Sequence, residues 1–271
     1  MPENQITPQV VRWIMRAVEA AVPGHIPLLF LSGPQGCGKS TALSEAVAAL
    51  PVPVAGLGLD DVYLTETDRE RLALEVSPLF RVRGPPGTHD LDLLGALIEA
   101  LRQASAQSVT ALPAFDKLAD DRAPCETWRS FTGRPAAIVV EGWLMGVCAD
   151  LNAPDSPPIN SVEAADYGKA WRRHQEFVLA RDYAPLWDAA DGFLHIVPPG
   201  FNCVLDWRMQ QEAALWAARG KALPLERRAW VAGFIEHYER LTRRMIAGHR
   251  RPGTEIRIDA ARRVLSSSAD G

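Results

Sequence analysis

The run Gly33-Pro34-Gln35-Gly36-Cys37-Gly38-Lys39-Ser40-Thr41 completes a G-x-x-x-x-G-K-[ST] pattern. Gly33, Gly36 and Gly38 permit left-handed torsions that turn successive N–H groups inward as a nest for phosphate oxygens. Side chains at those positions would block the phosphates. A helix beginning near Lys39 adds unpaired N–H donors and the positive end of its dipole. The Lys39 ammonium is expected on the outer phosphates, and the Ser40 hydroxyl on Mg²⁺. Residues Gly33 through Thr41 are therefore the expected nucleotide cradle, with Lys39 also catalytic. Ile26–Leu31 reads as a buried strand before the loop and Thr41–Leu50 as a helix after it, which favours this reading over an ordinary glycine-rich turn.

Three acids stand where ligands of a parallel sheet bind, beyond the carboxyl ends of strands. Val52–Leu59 reads as a strand running into Asp60-Asp61, and Ala136–Val140 as one running into Glu141-Gly142-Trp143. The second has the form of a Walker B strand with Glu in place of Asp, which puts Glu141 beside Ser40 and Mg²⁺. A carboxylate near a γ-phosphate takes the proton of an attacking hydroxyl, a contribution of roughly 10²–10⁴ in rate. Asp60 is the expected base and Asp61 a substrate contact; capping of the next helix is the competing role for both.

Arg83 and His89 lie on the Pro/Gly-stiffened segment Arg81–Asp90. A guanidinium and an imidazole held there suit a small anionic substrate, since Arg matches carboxylate geometry bidentately. Phe115-Asp116-Lys117 with Asp120-Asp121-Arg122 is a candidate second substrate loop, or else a solvated charged surface. Arg208, on the helix after Pro198-Pro199-Gly200, is a candidate lid arginine over the γ-phosphate; a plain surface position is the alternative.

Strands must place these groups. Besides those named, Gly192–Val197 and Glu255–Asp259 read as strands, with helical patterns between. Alternating strands and helices predict an α/β fold: a five-stranded parallel sheet covered by helices on both faces. Residues 8–22 and 230–246 show apolar stripes at helical spacing. Stretches 77–91 and 113–134 resist the pattern and are candidate substrate loops. The expected organisation is one domain: an N-terminal helix over 1–24, a core over 25–262, and a disordered tail over 263–271.

The chain has 271 residues, 47% of them hydrophobic, and a formal net charge of −4. That balance argues against a general nucleic-acid binder. Four cysteines, Cys37, Cys125, Cys148 and Cys203, show no metal-ligand spacing, and no basic-then-apolar leader opens the chain. A cytoplasmic setting, with no membrane or nucleic-acid partner, is expected.

Taken together, Gly33–Ser40, Leu59-Asp60-Asp61-Val62-Tyr63-Leu64-Thr65, Arg83–Asp90, Phe115-Asp116-Lys117 and Glu141-Gly142-Trp143 resemble the D-glycerate 3-kinase family, relatives of uridine and pantothenate kinases. The likeness runs from about residue 25 to 262. It implies a P-loop NTPase fold, Mg-ATP as donor, and transfer to a primary hydroxyl of a small acid. It implies Asp60 as base, Arg83, His89 and Lys117 on the acceptor side and Arg208 in a lid; Asp61 and Tyr63 are expected beside the acceptor too, with Ser40 and Glu141 at the metal. Val62 replaces a usual Phe. His174 and Glu176 stand where relatives often have Tyr and Asn, and a carboxylate at 176 would repel an anionic acceptor if it lined the pocket. The expected partners are ATP and a small hydroxy acid, the chain acting as monomer or homodimer. Alternatives are a kinase for a sugar acid, pantothenate-like or nucleoside-like acceptor, and a P-loop NTPase switch without a metabolite acceptor.

Overall fold

Leu28–Ser32 is buried at all five positions and forms the centre of the sheet. The protein is described by a computed structural model covering residues 5–268. In chain order its first half contains α1 (Thr7–Ala20), β1 (Leu28–Ser32), α2 (Lys39–Ala49), β2 (Val54–Gly58), α3 (Glu66–Glu75) and α4 (Leu91–Arg102). Two short antiparallel pairs follow, β3 (Val109–Leu112) with β6 (Arg129–Thr132) and, between them, β4 (Phe115–Asp116) with β5 (Asp121–Arg122). Then come β7 (Ala137–Gly142), α5 (Ser161–Ala165), α6 (Ala170–Val178), α7 (Ala184–Asp188) and β8 (Gly192–Val197). The chain closes with α8 (Phe201–Ala217), α9 (Leu225–Glu236), α10 (Glu239–Ile246), β9 (Thr254–Ile258) and β10 (Val264–Ser268).

The main sheet has the order β10-β9-β8-β1-β7-β2. Five strands are parallel, as expected, and β10 adds an antiparallel edge. Side chains alternate across a strand, so Leu28 and Phe30 join Ile138 and Val140 in one core, while Leu29 and Leu31 join Val139 and Leu194 in the other. The second core takes Val10 and Ile14 of α1, Leu43 of α2 and Trp207 of α8. Truncating a side chain such as Phe30 to Ala would cost about 3–5 kcal/mol.

Three expectations are corrected. Residues 264–268 are not a disordered tail: they pair with β9 through backbone bonds, which a Ser-rich run supplies as well as any other; positions 269–271 lie outside the described residues. The stretch 113–134 contains ladder pairs despite its mixed charge. The helix over 230–246 breaks between Glu236 and Glu239, at Tyr238, whose hydroxyl donates to the Arg83 carbonyl at 2.6 Å.

Candidate active site

Register brings the chemistry together. Glu141 pairs with Leu31 of β1 on one side and with Gly58 of β2 on the other. The glycine loop leaving β1, the acid ending β7 and the aspartates after β2 therefore share the carboxyl end of the parallel sheet, where ligands of such sheets bind.

In the loop, Gly36 and Gly38 have φ of +80° and +97°, torsions that L side chains rarely adopt. Gly38 caps α2 with no side-chain hydrogen bond, which leaves the first-turn N–H groups available to an anion. Ser40 Oγ donates to Glu141 Oε1 at 2.6 Å, and Lys39 Nζ lies 3.7 Å from Glu141 Oε2. Burial disfavours the Lys39 charge, but the Glu141 carboxylate, with Cys37 and Asp60, outweighs it and holds the ammonium above its usual range. Burial pushes the Cys37 thiol up.

Asp60 and Asp61 sit on a 3₁₀ turn, Leu59–Val62. Tyr63 Oη donates to Asp60 Oδ1 at 2.6 Å and Lys117 Nζ to Asp60 Oδ2 at 2.9 Å. Burial raises the Asp60 carboxyl, but Lys117, Lys39 and the two hydrogen bonds together hold it well below the usual carboxylate range. A cavity of about 190 Å³ opens here, lined by Lys39, Ser40, Asp60, Tyr63, Arg83 and Lys117, with Arg208 from α8. Trp143, Phe234 and Tyr238 form its apolar side. Arg83 is ion-paired with Asp120, which also takes a 2.8 Å bond from the buried Arg69. Arg208 is held by Gln211 at 3.2 Å and by the buried Glu212 at 3.4 Å.

Two expected substrate contacts stand elsewhere. Asp61 faces a neighbouring cavity of about 520 Å³, which shares Ser40, Asp60 and Lys117 with the first, is also lined by Glu141, and is closed by Arg129 and Phe131 of β6. Burial and the Asp60 charge push its carboxyl up to about 6. His89 is 5% exposed and lies behind the wall, its ring stacked on Tyr63 at 4.9 Å. Its Nδ1 is 2.6 Å from Tyr183 Oη, and burial lowers it to about 4, so it supports Tyr63 as a neutral ring. Glu176 also stays clear of the cavity. It is buried, pairs with Arg244 at 2.6 Å and accepts the Asp150 N–H at 2.8 Å; the expected repulsion of an acceptor therefore has no geometry behind it. His174 packs against Gly87 and Phe80 instead.

Sequence reasoning missed Tyr238 and Phe234, which look like members of an ordinary helical stripe, and Gln211. It also missed Arg69, hidden in a surface-like helix, and the pairing of Asp120, in the candidate second substrate loop, with Arg83 and Arg69. A roomier groove, about 1050 Å³, lies between α1 and the amino-terminal ends of β8 and β9 and contains none of the expected site residues.

The donor set at Ser40 and Glu141 is all oxygen, the kind that suits Mg²⁺. Among the described residues no cluster of three or more His, Cys, Asp or Glu side chains could hold a metal ion, so Mg²⁺ there would rely on phosphate oxygens and water for most of its shell.

A parallel sheet whose central strand feeds a phosphate loop, with acids at the tips of both neighbours on one side, defines a P-loop kinase. The chain is 31% identical over 226 residues to the "Uncharacterized kinase mug58" of Schizosaccharomyces pombe, which covers 78% of each protein. It is 26% identical over 226 residues to the "Probable ATP-dependent kinase TDA10" of Saccharomyces cerevisiae, covering 78% of this chain and 74% of that one. The chain belongs to the family of these kinases. A D-glycerate 3-kinase from Cryptococcus neoformans var. grubii superposes over 99% of this chain and 100% of its own with a TM-score of 0.82; at 22% identity that likeness shows the fold. No model of a known protein family matches the chain.

Proposed function

We propose that this kinase transfers the γ-phosphate of ATP to a primary hydroxyl of a small hydroxy acid, D-glycerate being the first to test. The observation that carries this reading is Asp60, a carboxylate at the rim of a small cavity that four cations, Lys39, Arg83, Lys117 and Arg208, also line. Such a cavity suits two anions, a triphosphate and a carboxylate, with a hydroxyl between them. About 190 Å³ leaves room for an acceptor of only a few carbons beside the terminal phosphate.

Lys39 and the loop amides bind the β- and γ-phosphates and balance the charge that develops during transfer. Ser40 and Glu141 would hold Mg²⁺, which supplies charge neutralisation between those phosphates when bound. Arg83 exchanges Asp120 for the acceptor carboxylate, a planar match for its guanidinium. Lys117 moves from Asp60 toward the same carboxylate, which removes a nearby cation from Asp60 and raises its basicity as the acceptor arrives. Asp60 accepts the hydroxyl proton, the acceptor oxygen bonds to the γ-phosphorus, and the electron pair of the broken P–O bond leaves on the β-phosphate of ADP. Tyr63 keeps Asp60 oriented. Arg208, released from Glu212, covers the transferring group. The four free cysteines fit the cytoplasmic setting proposed for the protein.

The test is ADP release with Mg-ATP and a panel of hydroxy acids, sugar acids, pantothenate and nucleosides. Strong stimulation by D-glycerate, with phosphate on its primary hydroxyl, supports the reading. Stimulation only by a nucleoside or another acid reassigns the acceptor, and stimulation by none of them points to the switch class.

A further inference from the structure

Arg262, one of many arginines near the carboxyl end, reaches back to the phosphate loop. Its Nε donates to the Gly36 carbonyl at 2.6 Å. Its terminal nitrogens share Gln210 Oε1 on α8, each at 3.2 Å, and its guanidinium carbon lies 5.1 Å from the centre of the Trp207 ring. Trp207 Nε1 in turn donates to the Ala260 carbonyl at 2.8 Å. A Cβ on Gly36 would lie 2.6 Å from Trp207 Cβ, so only glycine permits this approach. The phosphate loop, α8 and the turn between β9 and β10 therefore meet at one peptide carbonyl.

The turn is built to hold that pose. Arg262 has φ of +64°, a left-handed conformation that is strained for a residue with a Cβ. Asp259 over-determines it. Its Oδ1 accepts the N–H groups of Ala261 and Arg263, both at 2.9 Å, and its Oδ2 accepts Arg263 Nε at 2.7 Å. The backbone closes the turn with Arg262 N–H to the Asp259 carbonyl and Asp259 N–H to the Arg263 carbonyl, both 2.9 Å.

A loop of three glycines has few side chains of its own to fix its shape, and glycine visits both signs of φ readily. We propose that Arg262 is a positioning residue for the nucleotide: by fixing the Gly36 carbonyl with a charge-assisted bond it holds the loop in the shape whose amides converge on phosphate, and ties that shape to the helix carrying Arg208. This rests on the loop being the nucleotide cradle.

Arg262→Gly separates this role from simple support, because glycine removes the guanidinium with the rest of the side chain while relieving the left-handed strain of the turn. Titration calorimetry with ATP on the full chain is expected to show Arg262→Gly binding about tenfold more weakly than wild type, with a thermal midpoint no lower than that of Arg262→Ala. In steady-state assays the ATP KM should rise while the acceptor KM holds. Arg262→Lys should recover part of the affinity, since it keeps a charged donor but loses the planar stack on Trp207. Arg257→Ala, on β9 away from the loop, should bind ATP as wild type does. ATP binding by Arg262→Gly within twofold of wild type would overturn the inference. A wild type that binds no ATP would instead overturn the cradle reading itself, and this inference with it.

Discussion

Lys117 Nζ and Asp60 Oδ2 stand 2.9 Å apart, so the proposed base is held by a cation from the small β4–β5 hairpin before any substrate arrives. Asp60 is thereby kept ionised at neutral pH, and its hydrogen bond to Tyr63 fixes which oxygen is free when Lys117 leaves.

Replacing Lys117 by Met removes the largest of the influences that lower the Asp60 carboxyl. The direction follows from the sign of the shift: a depressed carboxyl stays charged as pH falls, and without Lys117 it protonates at higher pH. The acid limb of the kcat/KM profile is therefore expected to move toward neutral pH in Lys117→Met. A pH–rate series on both proteins checks this, and an unmoved limb would detach Lys117 from Asp60.

Asp61 behaves oppositely. Its folded-state value of about 6 lies above the ordinary 3.8, so the fold binds this proton more tightly than the unfolded chain does. Its charge then opposes folding, and stability falls as pH rises from about 4 to about 6 and is level beyond. Asp61→Asn is expected to stabilise the protein at pH 7–8 by roughly 1–2 kcal/mol, below the full two-unit limit because the group is partly solvated. The gain should vanish below about pH 4. Thermal unfolding of both proteins at pH 4 and pH 8 reads the difference.

Arg83→Gln should raise the acceptor KM at least about tenfold, the loss of a bidentate charged contact, with the ATP KM unchanged. Equal rises in both would place Arg83 on the triphosphate instead.

Glu176→Gln leaves Arg244 buried without its counter-charge, a change that costs about 3–5 kcal/mol. Chemical denaturation should show that loss, while the acceptor KM of the folded fraction stays at the wild-type value.

The parallel core was legible because its strands are continuous apolar runs that end in chemistry: Phe30 and Leu31 before Gly33, Val139 and Val140 before Glu141. Such runs bury on both faces and need no partner to be recognised. β10 and the β4–β5 pair were not legible, since Ser266–Ser268 and Asp121–Arg122 carry no hydrophobic period and are placed by backbone pairing with the neighbouring strand rather than by burial. The site was legible where a loop or strand tip delivers it, as with Lys39, Asp60 and Glu141. It was opaque where tertiary packing decides: His89 turns into the wall behind Tyr63, Glu176 is spent on Arg244, and nothing in an Arg-rich stretch distinguishes Arg262 from its neighbours.

The most direct measurement is ³¹P NMR of the products formed from Mg-ATP and D-glycerate by the wild type and by Asp60→Asn. The wild type should yield ADP and one new phosphomonoester in equal amounts. Asp60→Asn should form them at a rate about 10²–10⁴-fold lower at undiminished ATP affinity. Wild-type rates from Asp60→Asn, or ATP turned over to inorganic phosphate alone whether or not an acid is present, would contradict this mechanism.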